Sequence, residues 1–255
     1  LRIAGDYAAV IEGQRAEQIH IAYYGPASYA RARMIGVKTT PFAIEVNKGG
    51  VKGYYSVFYV KANSPYQKIE DLKGKSIALV DPNSTSGNNV PRYAMDKMGI
   101  KPEDFFGKVV YSGSHVNAVM ALNQGTVDMA ANWWNNETDS ELIRMADKGM
   151  VKVLAATAPS KSAATKSLPL ISTSLPGFDY TTWYAMYAPL ATPKPIVDSI
   201  NAALTKALKN TAMAAKIEAA GTELQPGSPE EVMAWTQRDT DKWARVIRDA
   251  KISVE

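Results

Sequence analysis

The chain reads Asp-Pro-Asn-Ser-Thr-Ser-Gly-Asn-Asn-Val-Pro at residues 81–91. An apolar run at 76–80 precedes this stretch and predicts a buried strand, and apolar residues at helical spacing from Val90 onward predict a helix. Three consecutive hydroxyls, Ser84, Thr85 and Ser86, therefore lie where a strand passes into a helix. Hydroxyls beside the free N–H groups of a helix N-terminus can bind a tetrahedral oxyanion. An ordinary Ser or Thr cap, which needs only one hydroxyl, is the alternative explanation.

The length and composition are typical of a globular protein. With 255 residues the chain can form one large domain or two lobes of ordinary size. Apolar residues make up 46% and charged residues 21% of the chain, and the longest apolar runs are far too short to insert into a membrane. The net charge of +4 is scattered along the chain, which argues against nucleic acid as a partner but favours an anionic ligand.

The sequence carries no motif that predicts catalysis or a cofactor. The absence of cysteine excludes disulfides, thiolate zinc sites and a cysteine nucleophile. The signatures G-x-x-x-x-G-K-[ST], G-x-G-x-x-G and H-E-x-x-H are missing. His20 and His115 are too few for a histidine-rich metal site, although carboxylates could still bind magnesium, and Ser86 lacks a G-x-S-x-G turn. We therefore predict a binding protein without a cofactor or metal, and not an enzyme.

Strands and helices alternate through most of the chain, which predicts an α/β fold. Helices are predicted at 6–14, 27–34, 117–124, 138–148, 195–209, 211–220 and 229–249, and strands or extended segments at 19–24, 41–47, 54–61, 76–80, 109–111, 127–131, 151–155 and 183–188. Residues 1–60 with 183–255 are expected to form one lobe and residues 63–178 the other, with crossings near 60–63 and 178–183. Ligands of open α/β sheets bind beyond the carboxyl ends of strands, so we expect a ligand cleft between the lobes.

A long ordered set of motifs resembles the periplasmic phosphonate-binding proteins of ABC importers. The motifs are DYAAVIEG at 6–13, AYYGP at 22–26, GYYSV at 53–57, SP at 64–65, DPNSTSG at 81–87, Pro91, GSH at 113–115 and VDMAAN at 127–132. The similarity covers about residues 1–150. It implies a type II periplasmic-binding-protein fold, a small anionic ligand and the membrane permease of an ABC importer as partner. It also implies a periplasmic location, with a signal peptide that has been removed or is not part of the sequence.

The remainder resembles a different family, the tripartite tricarboxylate-type solute receptors. This similarity covers about residues 155–255 and rests on LPGF at 175–178, WY at 183–184, AP at 188–189, TPK at 192–194, NAAL at 201–204 and WARVI at 243–247. Those receptors are also two-lobed periplasmic binding proteins, usually for carboxylates. The chain thus resembles a natural or engineered hybrid with its junction near 150–160. Both families normally have a strand and a helix before the helix at Asp6, so we expect this first unit to be missing.

The resemblance to the phosphonate receptors also implies which residues bind the ligand. In that family the Ser-Thr-Ser turn holds the phosphonate oxygens, and the histidine that matches His115 contacts the same oxyanion. A neutral imidazole could donate one hydrogen bond there, and a protonated one would add charge, whereas a lone histidine is commonly structural. The predicted ligand-binding residues are Ser84, Thr85, Ser86, His115, Tyr54, Tyr7, Asn135, Trp133 and Trp183.

Several of these aromatic residues have a structural alternative. The family uses the tyrosines that match Tyr7 and Tyr54 in the cleft, but tyrosines at such places are also common in cores. The Trp133-Trp134 pair could narrow the cleft or pack in the lobe core, and Trp183 could line the cleft floor. Further candidates are Tyr184 beside Trp183, and Tyr24 and Ser28 on either side of Gly25-Pro26.

The ligand is predicted to be a small phosphorus oxyanion without an amine. Aminophosphonate receptors place a carboxylate for the ligand ammonium at the position of Asn135, and Glu137 follows two residues later. Phosphonate, phosphite, phosphate and phosphate esters fit this pattern better than aminophosphonates. The alternatives are a carboxylate-binding receptor of the tripartite tricarboxylate type, and a hybrid or engineered binding-protein scaffold with weak binding.

Overall fold

A computed structural model of the chain describes residues 4–47, 53–136, 139–140, 151–158, 165, 167–178, 180–213, 215, 222–223 and 227–249. It divides into two compact units. The first unit comprises Leu1–Gly53 with Trp183–Ile247, and the second is built on Tyr54–Thr182. The chain therefore passes from the first unit to the second just before the strand that starts at Tyr55. The sequence pattern predicted that this strand belongs to the first lobe.

Helices and strands alternate in both units. The helices in the described residues are α1 (Tyr7–Arg15), α2 (Pro26–Met34), α3 (Val90–Lys97), α4 (Pro102–Phe105), α5 (His115–Asn123), α6 (Lys194–Leu208) and α7 (Pro229–Asp249), and a π-helical turn at Thr85–Asn89 leads into α3. The strands are β1 (Ala22–Tyr24), β2 (Thr39–Ile44), β3 (Val46–Asn47), β4 (Tyr55–Lys61), β5 (Ser76–Leu79), β6 (Lys108–Tyr111), β7 (Met129–Asn136), β8 (Asp139–Ser140), β9 (Val151–Ala156), β10 (Ala185–Pro189) and β11 (Thr222–Glu223). The predicted α/β class is confirmed.

The sheet of the second unit places several strand ends at one edge. Within the described residues it has six strands in the order β6-β5-β7-β4-β9, with β8 paired to β7. Strand β5 is parallel to both β6 and β7, and β4 is antiparallel to β7. The carboxyl ends of β5, β6 and β7 and the amino end of β4 therefore share one edge, where ligands of α/β sheets bind.

One predicted helix begins with a strand instead. Asp139–Ser140 form β8 and pair with β7, with Trp134 opposite Ser140. A hairpin satisfies the backbone groups of both strands, and this pairing overrides the helical pattern that starts at Thr138. The rest of the helix predicted at 138–148, and most of the one predicted at 211–220, lie outside the described residues.

The first unit contains an aromatic core beside an antiparallel sheet. In the described part of the chain this sheet has the order β1-β10-β2. Tyr187 of β10 stacks on Tyr29 of α2 with ring centroids 4.2 Å apart, and it contacts Tyr24 at 5.5 Å.

The N-terminus of α1 is capped by Asp6, as predicted. The Asp6 carboxylate accepts a hydrogen bond from the Ala9 N–H at 2.7 Å.

The carboxylate of Asp239 joins two buried tryptophans of the first unit. Its Oδ2 accepts the indole N–H of Trp183 at 2.7 Å and that of Trp243 at 2.8 Å. Trp183 is 1% and Trp243 0% exposed. Since a buried indole N–H needs a partner, this carboxylate holds α7 against the segment that leads into β10.

We expect the substitution Asp239→Ala to destabilise the protein strongly. It removes the partner of two buried N–H donors, each worth about 1–3 kcal/mol, so the free energy of unfolding should fall by about 2–6 kcal/mol in urea denaturation. Asp239→Asn keeps an acceptor oxygen and should lose less. Asp241→Ala, at an exposed position of the same helix, is the matched control, and an equal loss there would contradict this role for Asp239.

Candidate functional site

The hydroxyl stretch forms a tight turn on the end of β5. Ser84 caps the π-helical turn, and its Oγ accepts a hydrogen bond from the Gly87 N–H at 3.1 Å. The Asn89 N–H donates to the Ser84 carbonyl at 3.0 Å, and the Val80 N–H donates to the Gly87 carbonyl at 3.0 Å. A Cβ on Gly87 would overlap the Val80 side chain, so only glycine allows this close approach.

Two asparagines hold the carbonyl groups of the same turn. The Asn89 amide donates to the carbonyls of Pro82 at 3.0 Å and Ser84 at 2.8 Å, and the Asn88 amide donates to Pro82 at 2.9 Å. Asn88 Oδ1 in turn accepts from Arg92 Nε at 2.9 Å and from the Tyr111 hydroxyl at 3.1 Å. Their place in the sequence indicated no role for them. Their hydrogen bonds fix the backbone from which the hydroxyls extend.

All three predicted hydroxyl residues are buried, and one of them has an unused hydroxyl. Ser84, Thr85 and Ser86 are 1%, 3% and 0% exposed. The Ser86 carbonyl accepts the Ser56 hydroxyl of β4 at 2.7 Å, but Ser86 Oγ itself has no hydrogen-bond partner among the described residues. Ser84 uses its oxygen as the cap acceptor, which leaves its O–H proton able to donate.

His115 is the first residue of α5, and three residues separate it from the end of β6. Ser114 caps this helix by accepting from the Asn117 N–H at 3.1 Å, and Gly113, at φ +78°, donates its N–H to the Val80 carbonyl at 2.8 Å. The bond from Gly113 to Val80 joins the segment before α5 to the end of β5. The predicted histidine and the hydroxyl turn therefore belong to the same edge of one sheet.

The imidazole of His115 is neutral near neutral pH. Burial lowers its pKa from the ordinary value of 6.5 to about 4, and the hydrogen bond with Asn132 offsets part of this effect. Nδ1 lies 3.0 Å from Asn132 Oδ1, while Nε2 is shielded from solvent and has no partner in the described part of the chain. The lowered pKa favours the neutral imidazole over the protonated one in the free site.

Strand register determines which face of the sheet each side chain occupies. Ser56 of β4 lies opposite Trp133 of β7, and Val57 lies opposite Asn132. Cross-strand partners share a face and consecutive residues alternate, so Ser56 and Trp133 extend to one face and Asn132 to the other. The hydroxyl turn, bound to Ser56, lies with Trp133, and His115 lies with Asn132 on the opposite face of the same edge.

The other predicted residues of the second unit are buried beside these strands. Tyr54, Trp134 and Asn135 are 4%, 5% and 8% exposed, and Trp133 is half-buried. Tyr54 exchanges backbone hydrogen bonds with Thr182 at 2.7 and 2.8 Å. Glu137 lies outside the described residues.

Several of the predicted residues lie in the first unit. Most of them pack in its core or form hydrogen bonds within it. Trp183 is a core residue because its ring is buried and its indole N–H is bound to Asp239. Tyr24 is also in that core, and the Ser28 hydroxyl donates to the Gly25 carbonyl at 3.0 Å. Tyr184 stacks on Tyr23 with centroids 4.7 Å apart, and Tyr7 is half-buried at the start of α1.

Neither a metal cluster nor a membrane span is found in the described residues. No group of three or more His, Asp or Glu side chains there could hold a metal ion. None of the described helices is both long and apolar enough to cross a bilayer.

A family model described as the periplasmic substrate-binding protein of phosphonate ABC transporters matches residues 1–168. The chain belongs to this family. The phosphate-import protein PhnD of Mycolicibacterium smegmatis is 31% identical over 157 residues, which are 58% of this chain and 48% of that protein. The phosphonates-binding periplasmic protein of Escherichia coli is 38% identical over 134 residues, 51% of this chain and 39% of that protein. This phosphonate-type chain thus spans less than half the length of either relative.

Solved structures confirm that the phosphonate-type chain has a periplasmic-binding-protein fold. The binding-protein component of a phosphonate ABC transporter from Pseudomonas aeruginosa is similar with a TM-score of 0.72 and 20% identity, covering 96% of this chain and 76% of that one. MatC from Rhodopseudomonas palustris with bound malate is similar with a TM-score of 0.71 and 18% identity, covering 96% of this chain and 85% of that one. At these identities the likeness concerns the fold alone.

We expect Gly87→Ala to destabilise the hydroxyl turn. The added methyl group would overlap Val80 and lie 2.9 Å from Ser84 Oγ, and such overpacking typically costs about 1–3 kcal/mol of unfolding free energy. Gly5→Ala, where nothing lies within 4 Å of the new Cβ, is the matched control in the same urea denaturation experiment. Unchanged stability of Gly87→Ala would contradict the tight packing of the turn on β5.

His115 should make the protein less stable in mild acid. Because its folded pKa is lowered from 6.5 to about 4, the unfolded chain binds the proton more tightly, and stability should decrease as the pH falls across this window. The contribution amounts to at most about 3 kcal/mol. Urea denaturation of the wild type and of His115→Gln at pH values across this window measures this contribution. All other titratable groups are present in both proteins, so the difference between the two pH dependences is due to His115. Identical pH dependence of the two would show that His115 is not held neutral by burial.

Proposed function

We propose that this chain captures a small phosphorus oxyanion, namely a phosphonate, phosphite, phosphate or phosphate ester, without catalysing its conversion. It delivers this ligand to the membrane permease of an ABC importer from a periplasmic location. Membership of the phosphonate-type family supports the transport role and the location. The phosphate and phosphonate named for the two relatives support the class of ligand.

The observation that carries this proposal is the unused hydroxyl of Ser86. A polar group that is buried without a hydrogen bond costs about 1–3 kcal/mol, so native proteins rarely keep one without a reason. Ser86 Oγ is buried and has no partner among the described residues, although its own carbonyl is bound to Ser56. An oxyanion oxygen would provide the missing acceptor.

The surroundings of Ser86 suit an anion that is held by hydrogen bonds rather than by an ion pair. Ser84 can donate its O–H proton while its oxygen caps the turn, and the turn leads into α3 with its positive dipole end. Arg92 lies behind the turn, bound to Asn88, and its charge is paired with Glu103 at 2.6 Å. Neutral donors at a helix start therefore provide the recognition.

Carboxylate binding is the second candidate, favoured by the similarity of the fold to MatC with bound malate. Thermal denaturation with phosphate, phosphite, methylphosphonate, aminoethylphosphonate, malate and citrate separates the candidates. A ligand at a hundredfold excess over its dissociation constant stabilises the folded state by about 2.7 kcal/mol. We expect shifts with phosphate, phosphite and methylphosphonate, a smaller shift with aminoethylphosphonate, and none with the carboxylates. If only the carboxylates raise the midpoint of denaturation, the ligand is a carboxylate and the proposal is wrong. If the transition is cooperative but no ligand raises its midpoint, the chain is a folded scaffold that binds none of them.

Substitution of two neighbouring serines should separate ligand binding from stability. Ser86→Ala removes a hydroxyl that has no partner among the described residues, so stability should be unchanged while affinity for methylphosphonate falls by about 1.5–3 kcal/mol. Ser84→Ala also removes the cap of the turn and should lose about 1 kcal/mol of stability as well. Calorimetric titration and urea denaturation measure the two effects. Full affinity in Ser86→Ala would remove this residue from the site.

A further inference from the structure

The side-chain amide of Asn132 has only one possible orientation. Its Oδ1 lies 2.9 Å from the backbone N–H of Trp133, and its Nδ2 lies 3.0 Å from the backbone carbonyl of His115. A backbone N–H can only donate and a carbonyl can only accept, so exchanging the oxygen and nitrogen of this amide would break both bonds. The oxygen of Asn132 therefore faces the His115 ring.

This orientation determines which nitrogen of His115 carries the proton. Nδ1 lies 3.0 Å from Asn132 Oδ1, an atom that has no hydrogen to offer, so Nδ1 must be the donor. A neutral imidazole has only one N–H. Nε2 therefore presents a lone pair, and this lone pair is buried and without a partner among the described residues.

Charged neighbours do not change this assignment. The strands packed against α5 are β4, β5 and β7, and their titratable residues are Tyr55, Tyr59 and Lys61, all on β4. The Tyr59 hydroxyl is bound to the Trp133 carbonyl at 3.3 Å. Burial lowers the pKa of His115, and the Asn132 hydrogen bond offsets only part of this effect, so the ring stays neutral at physiological pH.

We propose that the site takes its ligand in the singly protonated form, with a P–OH group of the ligand donating a hydrogen bond to Nε2 of His115. This inference rests on the proposed function and adds the ionisation state of the ligand to it. The serine hydroxyls donate to the unprotonated oxygens, so the two faces of the sheet edge recognise different parts of one anion. The ligand class becomes hydrogen phosphonates, hydrogen phosphite, hydrogen phosphate and singly protonated phosphate monoesters.

The same geometry excludes anions that have no acidic proton. An unprotonated oxygen opposite Nε2 would bring two lone pairs together and leave the buried nitrogen without a donor. Sites built around a specific hydrogen bond discriminate strongly against analogues that lack it. Sulfate, sulfonates and phosphodiesters should therefore bind poorly, although their shape and charge resemble those of the accepted ligands.

Methylphosphonate and methanesulfonate form a matched pair of probes for this inference. Below the second pKa of methylphosphonate both are tetrahedral monoanions with one methyl group, and only the phosphonate carries a proton. Calorimetric titration of the intact protein should show methanesulfonate binding about 10- to 100-fold more weakly. Equal affinities would overturn the inference while leaving the proposed function intact. Absence of binding by methylphosphonate, phosphite and phosphate alike would overturn both.

Nitrogen NMR of ¹⁵N-histidine-labelled protein reads the tautomer directly. The chain has two histidines, and the variant His115→Gln identifies which signals belong to His115. We expect the free protein to show a protonated Nδ1 and a lone pair on Nε2, with Nε2 still unprotonated in the methylphosphonate complex. A protonated Nε2 in the free protein, or a doubly protonated ring in the complex, would overturn the inference whatever the affinities are.

The substitution Asn132→Asp should reverse the role of the ring. A carboxylate beside Nδ1 favours the doubly protonated imidazole, whose Nε2–H can donate to a sulfonate oxygen. The ratio of the affinities for methylphosphonate and methanesulfonate should therefore decrease by about tenfold or more. Asn117→Asp adds the same charge on α5, at a residue whose amide binds the Ser112 carbonyl, and should leave the ratio of affinities unchanged. Equal ratios in both variants would contradict the role of Asn132. The wild-type ligand pair and the NMR spectrum decide the question if Asn132→Asp does not fold.

Discussion

The parallel pairing of β5 with both β6 and β7 is the constraint on which the site depends. Parallel strands end at the same edge of a sheet, so the segments that follow β5 and β6 must start side by side. One segment is the hydroxyl turn and the other begins α5 with His115. The antiparallel strand β4 starts at this edge and contributes Ser56. Residues 30 to 60 positions apart thus come together through strand direction alone.

Most polar groups at this edge are used to hold the backbone, and very few are left for a ligand. The side-chain amides of Asn88 and Asn89 donate to the carbonyls of the turn. The Asn132 amide binds the backbone carbonyl of His115 and the backbone N–H of Trp133. Among the buried side-chain polar atoms at this edge, Ser86 Oγ, His115 Nε2 and Asn83 Oδ1 have no hydrogen-bond partner in the described residues. A rigid frame with a donor and an acceptor left over is how binding sites gain specificity with few contacts.

Sequence patterns predicted the α/β class, the hydroxyl turn and the capped start of α1, because each depends on residues that are close in the chain. They failed where distant residues decide. The strand β8 replaced the start of a predicted helix because backbone pairing with β7 outweighs local helical spacing. Trp183 entered the core because Asp239, far along the chain, binds its indole N–H. Asn132 was visible within the motif at 127–132, but nothing local indicated that its amide orients a histidine.

Local sequence patterns were enough to predict that a strand passes into a helix through three hydroxyls, and that the chain is similar to the phosphonate receptors. Both properties are local, since strand and helix propensity, turn chemistry and motif order need no knowledge of distant contacts. The neutral state of His115 and the lone pair on its Nε2 depend instead on contacts between distant parts of the chain. Burial removes water from the ring, and an amide from another strand selects the protonated nitrogen. Neither effect exists until the sheet has formed.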